Sequence, residues 1–305
     1  MRISDAGFSR MMTNSMSQSY NDHAKLNQQN LTGKRINQIS EDPVASIQMT
    51  QLDNSKSSVS QYKSNVSRLS GKLKVQEDRL TSLDSQLLSL RDKLSAAKNG
   101  NHSGAQSATL GREIAGLIEG ITEDLNAQSV EGKYLFSGTK NNTKPVEYDA
   151  ASQTYSYNGN NDSLDTVVGN GITMQGNINL SAAFSTGNNN LEILTGLRQL
   201  ANKMVDSTIA PSSYNQDIST MIGAAQTVTS NIGSIVTELG ARQNRLDHLT
   251  DINEDLEIVN AKLENDLVGI DVVSVKMELE NSLLSIKTSF SAYAKISQLS
   301  LFNYI

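Results

Sequence analysis

Between Leu52 and Leu94 an apolar side chain returns at every seventh position: Leu52, Val59, Val66, Leu73, Leu80, Leu87 and Leu94. Three residues beyond each stand Ser55, Tyr62, Leu69, Gln76, Leu83, Leu90 and Ala97. This spacing draws one narrow seam along a helix, the pattern by which long helices pack together. Gly71 is the one glycine between Pro43 and Lys98, and no proline follows Pro43 in that stretch. A single helix of roughly 80 Å is therefore expected, at about 1.5 Å per residue. Helices of globular cores average about 11–12 residues, so this length favours a rod.

A second seam begins after Pro211. Ile218, Ala225, Ile232, Leu239 and Leu246 take one position, and Met221, Val228, Ile235, Leu249, Leu256 and Leu263 take the other. Arg242 and Asn253 interrupt it, as Gln76 interrupts the first; a polar seam residue can fix register, and a solvated bend reads equally well. Shorter helices are expected from Leu110, Ile114, Leu117, Ile121 and Leu125, antiparallel to the first rod helix, and from Leu191, Leu194, Leu197 and Ala201.

The two ends carry narrower stripes. Phe8, Met12, Met16 and Tyr20 form one among Ser, Asn and Gln, and Val272, Val275, Leu279, Leu283, Ile286, Phe290, Tyr293 and Ile296 form the other. Each predicts an amphipathic helix that needs a partner. Gly33 suits the left-handed residue after a helix, with Lys34 and Arg35 beside its negative end. Asp42 is a good N-cap and Pro43 the favoured first helical residue. Ordinary helix punctuation accounts for these residues without a binding role. The chain closes on Leu299, Leu301, Phe302, Tyr304 and Ile305, an apolar terminus expected to dock between subunits.

Between the helical blocks the composition changes. Residues 132–138, bounded by Gly132 and Gly138, predict a strand or extended segment. Residues 139–190 are rich in Asn, Gly, Ser and Thr, with alternating pieces at Tyr155–Tyr157 and Thr166–Val168, and predict a small β-rich insertion; disorder is the alternative. Asn158-Gly159 is the expected two-residue turn, with Gly169, Gly171 and Gly176 punctuating the next pieces.

The expected fold is thus mainly α, an elongated antiparallel coiled-coil or helical-bundle rod with a small β-rich inserted domain. Residues 43–138 and 190–263 form the rod, 139–189 the insertion, and 1–42 and 264–305 terminal assembly helices that are mobile in a monomer. Composition agrees: of 305 residues 37% are apolar and 5% aromatic, with no Trp, so a thin seam must serve as the core.

A net charge of −6 without a basic tract argues against nucleic acid as partner. No window reaches membrane-spanning length, so no membrane insertion is expected, and Met1–Asp5 lacks the apolar run of a secretory signal. Cysteine is absent, which removes disulfides and thiolate metal sites. His23, His102 and His248 are scattered, and the adjacent acids Glu41-Asp42 and Glu254-Asp255 point to different sides of a helix. No phosphate loop, nucleophile elbow or zinc motif occurs, so catalytic, cofactor and metal residues are all expected to be none.

Taken in order, Met1–Ser4, Thr32–Ile36, Ser40–Pro43, Tyr134–Gly138, Gly240–Leu246 and Ser300–Ile305 resemble the flagellin superfamily, most closely its hook–filament junction family. Glu41 stands where such proteins more often have Asp, and the middle region matches poorly. The resemblance implies a secreted, extracellular structural adapter of the bacterial flagellum, exported unfolded through the flagellar type III channel. It would assemble with itself in a ring, between the first junction protein and flagellin, with an export chaperone as a further partner. Subunit assembly would then use Phe8, Met12, Met16, Leu283, Phe290, Tyr293, Leu299, Leu301, Phe302, Tyr304 and Ile305. A flagellin filament subunit and a secreted coiled-coil effector or translocator are the alternatives.

Overall fold

The computed structural model describes residues 2–100, 102–184 and 191–302, with side chains from 7 to 295 within those ranges. In chain order it contains α1 (Arg2–Thr32), α2 (Pro43–Asn99), α3 (Gly104–Leu125), β1 (Val146–Asp149), β2 (Thr154–Tyr157), β3 (Asp165–Gly169), β4 (Ile172–Gln175), α4 (Glu192–Val205), α5 (Asn215–Val268) and α6 (Val272–Phe302). Two compact units share these elements: Met1–Val59 with Glu254–Ile305, and Ser60–Asn253.

The second unit is built on the α2 seam. Leu73, Leu80, Leu87, Leu90 and Leu94 are fully buried, as are Ile218, Ala225, Val228, Ile232 and Leu246 of α5. α3 returns antiparallel to α2, Lys93 meeting Glu113 at 2.6 Å and Arg79 meeting Asp124 at 3.4 Å. Asp124 also accepts from Ser82 and Gln86, each at 2.7 Å, which satisfies a nearly buried carboxylate from three sides. α4 lies close on α3, because Gly111 leaves room for the backbone of Ala201 and the side chain of Met204. α5 then packs on α4, where Lys203 meets Asp217 at 2.7 Å, and on α2, where Gln243 donates to Glu77 at 3.3 Å.

The strand segment forms two separate antiparallel pairs, β1 with β2 and β3 with β4. The first rests on α4: the Tyr155 amide donates to Thr195 Oγ1 at 2.9 Å, and the Arg198 guanidinium lies 5.4 Å from the Tyr148 ring centre. The second is tied to α5 by Arg242, which donates to the carbonyls of Gln175 and Asn177 at 3.2 and 3.3 Å. The seam interruption at Arg242 is therefore a clamp on β4. Gln76 has a similar role, since its buried amide donates to the Leu135 carbonyl at 3.2 Å.

Several expectations are corrected. Residues 132–138 form no strand beyond an isolated bridge between Gln128 and Tyr134. Their peptide groups bond in different directions, the Leu135 amide to Ala127 and the Tyr134 amide to Asn141, so a ladder cannot form. Asn158-Gly159 follows β2 and joins no strands; a side chain on Gly159 would collide with the Tyr157 ring. The two-residue turn is Asn170-Gly171, between β3 and β4, with Gly171 at φ 68°.

In the first unit the two terminal helices, expected to lack partners, pair with each other. Ser9 and Tyr293 hydroxyls meet at 3.3 Å, and Lys34 bridges Gly269, which makes α1 and α6 antiparallel. Two incomplete stripes shed less water apart than face to face, which is why they meet.

The punctuation residues form a joint at the base of this pair. Gly33 ends α1 with φ 68°, and Asp42 Oδ1 accepts from the Ala45 amide at 3.1 Å to start α2. The Arg35 amide donates to the Val268 carbonyl at 2.7 Å, so the turn is stitched to the end of α5. Glu264 takes Lys56 at 2.5 Å and Lys34 at 3.1 Å, and these two cations, Lys56 first, hold its carboxyl below the usual carboxylate range. Glu41, which accepts from the Asn37 amide and pairs with Lys25, is lowered likewise.

Replacing Leu80, which has no exposed surface, by Asp is expected to cost several kcal/mol, on the order of a lost core leucine plus an unpaired buried charge. An unchanged denaturation midpoint for Leu80→Asp would contradict the packed seam. Because the Glu264 carboxyl is held low, its stabilisation is present above its unfolded value near 4.5 and is lost as pH falls through the folded value. Hydrogen-exchange protection of residues 33–36 and 264–269 should therefore fall as pH drops below about 4.5, and Glu264→Gln should remove most of that step.

Candidate assembly surfaces

Helix α1 has no fully buried side chain among its described residues, and α6 has two, Val275 and Ile286. The face of α1 turned to α6 includes Met12 and Met16, both half-buried, and the facing side of α6 includes Tyr293. Phe8, Leu283 and Phe290 lie outside this contact and are exposed, together with Met11, Tyr20 and Leu284. The proposed assembly residues thus divide: Met12, Met16 and Tyr293 hold the helix pair, while Phe8, Leu283 and Phe290 face solvent. Leu299, Leu301 and Phe302 belong to α6 by backbone, but their side chains, like Tyr304 and Ile305 altogether, lie outside the described residues.

A second apolar surface lies on α5. Leu256 and Leu263, assigned by spacing to the seam, are 43% and 51% exposed, and Val259 between them is 51% exposed. The side of α5 that meets α2 carries Asn260, buried and donating to Ser55 at 3.4 Å, and Glu264, paired with Lys56. α2 therefore covers one side of α5 here and leaves the Leu256–Val259–Leu263 side open. In the second unit the equivalent flank of α5 is covered, Met221 by α4 at Gly196 and Arg242 by β4. Spacing placed Leu256 and Leu263 on the seam without singling out Val259, and a heptad count alone does not say how many helices cover it.

The electrostatics of these surfaces differ. Residues 254–266 carry Glu254, Asp255, Glu257, Glu264 and Asp266 against Lys262. Residues 7–21 and 280–295, which bear Phe8, Met11, Leu283, Leu284 and Phe290, carry Arg10, Lys287 and Lys295 against Glu280.

Concave sites are modest. A small cavity of about 10 Å³ sits among Leu125, Phe136, Val146 and Leu191, and a cleft of about 300 Å³ lies beside Lys34, Ile39 and Met49 at the joint. Tyr157, whose hydroxyl donates to the Phe136 carbonyl at 2.9 Å, is pushed up to about 12 by burial, which marks a packed phenol rather than a reactive one. Among the described residues no three His, Asp or Glu side chains are grouped to hold a metal ion, and no helix is long and apolar enough to cross a membrane.

Comparison with known proteins places this architecture. Residues 3–141 match the family described as the bacterial flagellin N-terminal helical region. The chain is 25% identical over 317 aligned positions to flagellar hook-associated protein 3 of Salmonella typhimurium, covering 99% of both chains. It is 25% identical over 293 positions to the protein of that name from Escherichia coli K12, covering 91% of each. A solved structure described as a putative flagellar hook-associated protein from Vibrio parahaemolyticus shares the fold with a TM-score of 0.68 and 28% identity, over 75% of this chain and 100% of that one. The chain is thus similar along nearly its whole length to flagellar hook-associated protein 3, and over residues 3–141 to the bacterial flagellin N-terminal helical region.

Proposed function

We propose that the chain is a structural adapter of the bacterial flagellum, joining the first hook–filament junction protein to flagellin. The observation that carries this reading is the α1–α6 pair, which leaves Phe8, Met11, Leu283, Leu284 and Phe290 in water while burying little of itself. A helix pair with so little burial gains from neighbouring subunits what it lacks alone. The reading includes assembly of copies in a ring, export in an unfolded state with a chaperone, an extracellular position and no catalysis. The domain scheme fits it: terminal segments 1–42 and 264–305 for assembly, helical segments 43–138 and 190–263 as the stable body, and residues 139–189 as an insertion.

In the free chain, hydrogen-exchange protection should concentrate between roughly residues 45 and 260 and fall off in both terminal helices, because local opening costs least where least surface is buried. Strong protection of α1 and α6 in a verified monomer would count against their assignment to assembly. A strain lacking the protein should make hooks without filaments under electron microscopy. Deleting residues 299–305 removes several apolar side chains, each worth about 1.5–3 kcal/mol when buried. The truncated protein should keep its monomer melting temperature and still be secreted, yet fail to hold filaments. Filaments of normal number from that strain, or a sharp fall in melting temperature, would overturn the role of the tail; long filaments formed by the purified chain alone would identify a filament subunit instead.

A further inference from the structure

An asparagine followed by glycine is the dipeptide whose backbone attacks its own side chain most readily. The glycine amide nitrogen, once deprotonated, adds to the asparagine Cγ; a C–N bond forms and Nδ2 leaves as ammonia. Water then opens the five-membered imide at one carbonyl or the other, giving aspartate or isoaspartate, so that one water is consumed and one ammonia released. Glycine favours the attack because no side chain screens its nitrogen and its backbone turns freely. The chain has three such steps, Asn99-Gly100, Asn158-Gly159 and Asn170-Gly171.

The fold restrains two of them. At the end of α2 the Gly100 amide donates to the Ala96 carbonyl at 3.2 Å and the His102 ring lies against Gly100, so the attacking nitrogen is engaged and covered. Asn158 is tied twice, its amide donating to the Pro145 carbonyl at 2.8 Å and its side chain to Glu147 at 3.1 Å, while Gly159 packs against the Tyr157 ring and the Ser137 carbonyl. Asn170-Gly171 has none of these restraints. Both residues are exposed at the tip between β3 and β4, and nothing stands where a Gly171 side chain would lie. Neither the Asn170 side chain nor the Gly171 amide bonds to any described residue.

We infer that Asn170 is a site of spontaneous deamidation, at which the chain acquires aspartate or isoaspartate as it ages while Asn99 and Asn158 are spared. Either product adds a negative charge to a chain of net charge −6, and isoaspartate also inserts one methylene into the main chain between the paired residues Gly169 and Ile172. Val168 and Met174 are buried at the inner part of the strand pair, so the change is confined to the tip.

The purified full-length chain, held at mildly alkaline pH to deprotonate the attacking nitrogen, is sampled over days by peptide mass mapping, with fragmentation to place each conversion of amide to acid. Conversion at Asn170 is expected to be several-fold faster than at Asn99 or Asn158, and part of the product should resist a protease that cuts before aspartate, which marks isoaspartate. In denaturant the three rates should converge, because the selection comes from the fold. Gly171→Ala should slow conversion at Asn170 several-fold; alanine is strained at φ 68°, so Gly171→Asn, a residue that accepts this conformation, should do the same. Unchanged slow rates at Asn99 and Asn158 in these variants check that the fold persists. Equal rates at the three steps of the folded chain, faster conversion at Asn99 or Asn158, or undiminished conversion at Asn170 in Gly171→Asn would each overturn the assignment.

Discussion

Burial of one leucine-lined face of α2 is the constraint to which the other elements answer. Leu73, Leu80, Leu87, Leu90 and Leu94 have no exposed surface, and a protein with 5% aromatic residues has few other large side chains from which to build a core. Each fully buried leucine contributes about 1.5–3 kcal/mol, so the face is stable only if helices lie along it on more than one side. In the second unit α3 and α5 do so, and α4 closes the remaining gap between them. The strand pairs then sit against helices that are already fixed.

Polar residues inside this arrangement are ties rather than faults. Asp124 collects Arg79, Ser82 and Gln86 between α2 and α3, Gln76 holds the Leu135 segment, and Arg242 holds β4. A buried polar group left without a partner costs about 1–3 kcal/mol, so each of these contacts also selects one register among those that the leucines alone would accept. The buried asparagines of α5 mark a different situation. Asn260 donates to Ser55, and the adjacent leucines turn outward, because among the described residues no third helix covers that side of α5.

The first unit has little buried surface and many specific polar contacts at one place. Glu264, Lys34 and Lys56, with the Arg35 amide on Val268, hold the base of the terminal helices, while the helices themselves are joined by few buried side chains. Such a unit keeps its direction at the joint and leaves its apolar faces available. That combination suits the proposed adapter, in which the terminal surfaces would gain their burial from neighbouring molecules.

The long-range periodicity belonged to the sequence. A strict seven-residue repeat has one helical solution, so α2 and the buried positions Leu52 to Leu94 were legible, as were Gly33, Asp42 and Pro43, whose conformations follow from their own chemistry. The pairing of α1 with α6 was not, because a narrow stripe states a need for cover without naming what covers it. Nor was the exposure of Leu256 and Leu263: they carry the same heptad spacing as Leu249, which is buried, and differ only in whether another element reaches their side of α5. Local geometry and period are properties of the residues themselves. The number of neighbours around a helix is a property of the whole chain, and tertiary structure alone decided which apolar residues became core and which remained surface.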